Sequence, residues 1–141
     1  MKKFKLQILC SLCLLLPSLI CSAMSPEAPN RNFLKNYKDM VFATCIANAY
    51  KSDQHAAMDA GSSASALQDW ISYSIDNSIE RQIILVNSYL SRDYFNPLAE
   101  TEVKGLKFDF LKCLDLYHSK ELDRLGRDVI PEPWRKASHG Y

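Results

Sequence analysis

The sequence predicts an all-α fold: one small helical bundle of four to five helices, closed by one disulfide. Three observations lead there. Apolar residues recur at three- and four-residue spacing along most of the chain after residue 32, and no segment alternates apolar with polar as a strand does. Breaks rich in Gly, Pro, Asn and Ser cut that periodicity into pieces of helix length. Once an export signal is removed, Cys45 and Cys113 alone remain, and two cysteines permit one pairing.

Residues 1–23 read as that signal. Lys2, Lys3 and Lys5 precede an uncharged run, and Ser22-Ala23 offers the small residues of a cleavage site. The apolar part, residues 6–21, is short for a bilayer span of about 20 residues, and Pro17 breaks it. Cleavage is expected near Ala23, on export. A lipoprotein signal would acylate Cys21, but Ile20 stands where a small residue is wanted. Residues 24–31, with Pro26 and Pro29, are expected to form a flexible leader.

A helix is predicted over residues 32–51, with Phe33, Tyr37, Val41, Cys45 and Ala49 on one stripe. Ser52-Asp53 caps a short helix that Gly61 ends. Ser62 or Ser63 caps the next, which carries Leu67, Trp70, Ile71 and Ile75, with a break at Asn77-Ser78. Residues 79–93 place Ile83, Val86, Tyr89 and Leu90 on one face. Residues 94–101, with Asn96-Pro97, read as a loop. One long helix is predicted over 102–128, with Val103, Leu106, Phe110, Cys113 and Tyr117 inward. The helical domain thus covers 32–130. Residues 131–141 form a tail that packs through Trp134 or frays.

The remaining chain of about 118 residues suits one domain. Its loop between the cysteines has sixty-seven residues, so the bridge is worth about 4 kcal/mol on the chain-entropy view. Two buried free thiols are the alternative.

The full chain carries 17 Lys and Arg against 16 Asp and Glu. Without the three signal lysines the count is fourteen to sixteen, a formal charge of −2. No basic face for nucleic acid and no polybasic patch for a membrane surface follow from that balance.

Catalytic chemistry finds little support. His118 and Glu121 have the i, i+3 spacing of a metal half-site, but one such pair is a weak signal. His55 and His139 stand apart from it. Ser119 adjoins His118, yet neighbours on a helix point apart. Asp109, Asp115 and Asp123 are dispersed, and the four glycines build no phosphate loop. The expectation is a binding protein without catalytic residues, metal or cofactor. Two segments have the small or aromatic residues of an interface: 53–66, with His55, Met58 and Gly61-Ser62-Ser63, and 93–98, with Tyr94, Phe95 and Leu98. Helix capping competes as the role of the first, and inward packing of Tyr94 or Phe95 as that of the second.

Several blocks together resemble a known family. They are Asn36-Tyr37-Lys38-Asp39, Ala43-Thr44-Cys45-Ile46-Ala47, Asp59-Ala60-Gly61-Ser62-Ser63, Leu67-Gln68-Asp69-Trp70, and the run from Val103-Lys104-Gly105-Leu106 to Leu116-Tyr117-His118-Ser119. In this order they are similar to the amidase immunity proteins of type VI secretion systems, in particular the fourth such family. The resemblance runs over about residues 36–122, and the last block is its most specific part. It implies a helical, periplasmic and often dimeric protein. Its partner would be a papain-like cell-wall amidase that cleaves the γ-D-glutamyl to meso-diaminopimelate bond, and a protruding segment would block that cleft. The contacts expected here are Gly61, Ser62, Ser63, Ala64, Tyr94 and Asn96. The alternative is a small periplasmic metal- or ligand-binding envelope protein using His55, His118 and Glu121.

Overall fold

The computed structural model describes residues 24–137. The signal, its cleavage site, Cys21 and His139 lie outside them. Among the described residues six helices follow a 3-10 turn at Ala28–Asn30: α1 Phe33–Ala49, α2 Gln54–Gln68, α3 Ile75–Leu90, α4 Pro97–Glu102, α5 Asp109–Tyr117 and α6 Lys120–Val129. Among the described residues the only ladder-type pairing outside helices is an isolated bridge, Asn32 to Lys136. The fold is all-α as expected, with six helices in place of four or five.

Helix α1 is the axis. Asn32 Oδ1 accepts from the Lys35 amide at 2.8 Å and caps its start. Phe33, Tyr37, Met40, Val41 and Cys45 are buried along one face. They meet Val86 and Tyr89 of α3, Cys113 and Leu116 of α5, and Leu122, Leu125 and Val129 of α6. Each such side chain removed from water contributes about 1.5–3 kcal/mol. The Cys45 and Cys113 sulfurs are bonded, joining α1 to α5 across this core, and both residues are fully buried.

Three helix boundaries differ from the sequence expectation. Helix α2 runs through Gly61, which does not take the left-handed backbone that ends a helix. Five alanines in the helix outweigh the roughly 1 kcal/mol propensity cost of one glycine. Helix α3 starts at Ile75, so Asn77-Ser78 lies in its first turn. Ser78 is buried, sharing a 2.7 Å hydrogen bond with the Tyr37 hydroxyl. The predicted last helix is two. Ser119 Oγ accepts from the Leu122 amide at 3.1 Å and donates to the Leu116 carbonyl at 2.7 Å, ending α5 and capping α6 at one residue.

The tail is held by its backbone. The amides of Phe33 and Leu34, unpaired within α1, donate to the carbonyls of Arg135 and Pro133 at 2.7 and 3.1 Å. Trp134 is exposed, so the tail does not pack inward through it. At the other end Ala28 is buried, and its carbonyl accepts from Asn36 Nδ2 at 2.8 Å. Asn36 Nδ2 also reaches the Trp70 carbonyl at 3.1 Å, fastening the α2–α3 link to α1.

Burial raises the hydroxyl pKa of Tyr37, Tyr73 and Tyr117 above the ordinary 10.0; for Tyr117 the Asp39 carboxylate adds to it. A raised folded pKa means that the unfolded chain releases its protons first. Stability should therefore hold up to about pH 10 and fall as pH rises further. Melting followed from pH 7 to 11 checks this. Tyr37→Phe should flatten the alkaline decline, and an unchanged decline would assign it elsewhere.

Candidate functional site

One stretch of the chain stands out from the bundle by chemistry. Residues 91–108 leave α3, form the short α4 and return to α5 as an arch. The sequence builds it from local devices. Asn96 Oδ1 accepts from the amides of Leu98 and Ala99 at 3.0 and 3.4 Å, and Pro97 occupies the first turn, so α4 begins where a loop was expected. Gly105 adopts φ 73° and Phe108 φ 54°, and these two left-handed residues turn the return limb into α5.

The arch and the α5 turn it feeds expose apolar surface. Phe95 is 73% and Leu98 80% exposed, and Val103, Leu106, Phe110 and Leu111 are also exposed. Sequence periodicity had placed Val103, Leu106 and Phe110 inward on one long helix. With residues 103–108 outside any helix, that stripe does not exist as a unit. Asp93, Tyr94, Phe95, Asn96, Phe108 and Leu111 line a cavity of about 350 Å³ beneath the arch.

Polar contacts hold its feet. The Tyr94 hydroxyl donates to Asp115 Oδ2 at 2.5 Å, and that hydrogen bond raises the hydroxyl's pKa, with burial adding to it. Arg92 lies over the Tyr89 ring, 3.4 Å from its centroid. Cys113, in the middle of α5, anchors the helix to α1.

The other predicted contacts lie elsewhere, on α2, which packs chiefly against α1. Gly61 is half-buried, with open space where a Cβ would point. Ser62 and Ser63 are exposed, and Ser63 Oγ donates to the Asp59 carbonyl at 2.9 Å. Ala64 faces the core at 8% exposure and presents no surface. The predicted set therefore divides: Tyr94 and Asn96 belong to the arch, and Gly61, Ser62 and Ser63 to the outside of a regular helix. Phe95 and Leu98 stood in the segment singled out from sequence, whereas Phe110 and Leu111 had no sequence signal separating them from core residues.

His55 sits in the first turn of α2, His118 ends α5 with its ring edge-on to Tyr117, and Glu121 is in the first turn of α6. Glu121 accepts from the Tyr89 hydroxyl at 3.4 Å. Among the described residues no three His, Cys, Asp or Glu side chains gather as a metal site. No helix among them is long and apolar enough to cross a membrane.

A second apolar surface lies on α3, where Ile75, Ile79 and Ile83 repeat every four residues and all are exposed.

Comparison with known proteins returns two findings. Residues 35–126, more than half of the chain, match the family described as type VI secretion system amidase immunity protein, Tai4. A solved structure described as "New Type VI-secreted toxins and self-resistance proteins in Serratia marcescens" is similar over 82% of this chain and 94% of that one, with 27% identity and a TM-score of 0.69. No curated protein sequence matches.

Proposed function

Starting from the fact that the chain belongs to the type VI secretion system amidase immunity family, we propose that it binds a secreted peptidoglycan amidase and blocks its cleft with the 91–108 arch. The observation that carries this is the exposed apolar surface of the arch, headed by Phe95 and Leu98. Contiguous apolar surface left in water marks an interaction site, and aromatic anchors dominate binding energy. Family membership supports a non-enzymatic, inhibitory role.

The amidase class in question is papain-like and cleaves the γ-D-glutamyl to meso-diaminopimelate bond. An arch lying where the stem peptide should lie excludes substrate without offering a cleavable bond. Tyr94 and Asn96 set its rise, and Gly61, Ser62 and Ser63 form a secondary contact on α2. The meeting place is the periplasm, reached through the signal at residues 1–23. The joined cysteines support that compartment.

The same reading includes a homodimer across the Ile75, Ile79 and Ile83 row. Sedimentation of the purified protein should give twice the monomer mass, and a monomer would remove that clause.

Protection tests the function as a whole. A type VI amidase expressed in the periplasm should lyse cells, and coexpression of the full chain should prevent it. The chain without residues 2–23 should fail to protect. Equal protection by both forms would refute the periplasmic meeting, and lysis in the presence of the full chain, across the amidases tried, would refute the inhibitor reading.

A further inference from the structure

The arch leaves the bundle and returns to it at neighbouring points, and one buried side chain joins them. Lys112 is 5% exposed. Its Nζ donates to the Leu90 carbonyl at 3.2 Å and to Asp109 Oδ1 at 2.9 Å. Leu90 is the last residue of α3, and Asp109 is the first of α5. The ammonium therefore ties the point of departure to the point of return.

Both acceptors suit a cation. The final carbonyls of a helix lack partners within it and carry the negative end of its dipole. The Asp109 carboxylate, held at the positive end of α5, makes a charge-assisted bond. A lysine this buried is rare without such pairing. Beside the tie, Phe108 holds a left-handed backbone that disfavours any residue with a Cβ. Backbone of that kind persists where its surroundings over-determine it, and it collects at binding segments. Residues 101–107 are all exposed, so burial does not fix the arch along its return limb. Lys112 fastens its feet.

We propose that Lys112 is a positioning residue: by locking Leu90 to Asp109 it presets the arch in its binding shape before the partner arrives. Preset loops gain affinity because less ordering is left for the binding step. The inference rests on the function proposed above and can fail separately from it.

Lys112→Met keeps the aliphatic stem and removes the donors. In the purified, oxidised full-length protein, amide hydrogen exchange over 91–108 should quicken by about tenfold, with α1 and α2 unchanged. Inhibition of an amidase that the wild-type protein inhibits should weaken by about tenfold, mainly through slower association. Asp109→Ala removes one acceptor and leaves the Leu90 bond, so it should give the same pattern to a smaller extent. The double substitution should match Lys112→Met, because Asp109 acts on the arch only through the ammonium. Exchange over 91–108 that matches wild type overturns the proposal, whatever happens to inhibition. Exchange that rises evenly through every helix also overturns it, since Lys112 would then serve general stability. Localised exchange with unchanged inhibition removes the positioning role. If the wild-type protein inhibits no amidase, the function reading fails, and exchange alone decides whether Lys112 sets the arch.

Discussion

Phe95→Ala is expected to weaken inhibition of the amidase proposed as partner by about 30-fold or more, equivalent to roughly 2 kcal/mol, with little change in melting temperature. The two effects separate because Phe95 is 73% exposed and takes no part in the buried core. Exposed substitutions away from packing sites usually change stability by less than about 0.5 kcal/mol. An aromatic ring entering a cleft, in contrast, loses most of its water-facing area at once. The matched control is Ser62→Ala with Ser63→Ala on α2, which should cost less than about 1 kcal/mol in inhibition. Inhibition constants and thermal unfolding of both variants check this. If the serine pair loses inhibition while Phe95→Ala keeps it, α2 is the primary contact and the arch is not.

Breaking the disulfide is expected to be the largest single loss of stability. Replacing Cys45 and Cys113 together by alanine should cost on the order of 4 kcal/mol, because the bridge closes a loop with a sequence separation of 68. Both cysteines are fully buried at the α1–α5 contact, so the small cavities left add to that loss. A domain of this size should then melt at least about 10 °C lower. Thermal unfolding of the wild-type protein with and without a reductant, beside the double variant, measures it. Equal melting temperatures would show that packing alone holds α1 to α5. The functional consequence follows from compartment: a chain kept in a reducing cytoplasm lacks this support.

The helical class was legible because apolar spacing depends on local geometry alone, as at Phe33, Tyr37 and Val41. The cysteine pairing was legible because only two candidates remained after residue 23. Helix ends were harder. Gly61 has the residue type of a helix stop, but its alanine-rich neighbours carry the helix onward. Ser119 looked incidental beside His118, yet it both ends α5 and caps α6. Asn96-Pro97 lies in the predicted loop 94–101, yet the pair starts α4. Two of the six candidate contacts, Tyr94 and Asn96, lie on the arch. Ala64 turned inward, a distinction that a sequence of small residues does not carry.

By itself the sequence determined a helical chain, one possible bridge and the family to which the chain belongs. These rest on local periodicity, on counting and on ordered blocks of residues. Only the tertiary structure decided which apolar residues face water. Val103, Leu106 and Phe110 have the composition and spacing of a core stripe, and they became surface because the chain leaves the helix between Glu102 and Asp109. That departure depends on contacts distant in sequence: Tyr94 with Asp115, Lys112 with Leu90, and Cys113 with Cys45. A hydrophobic pattern records which residues avoid water, whereas a surface that a partner can use depends on which of them the fold leaves uncovered.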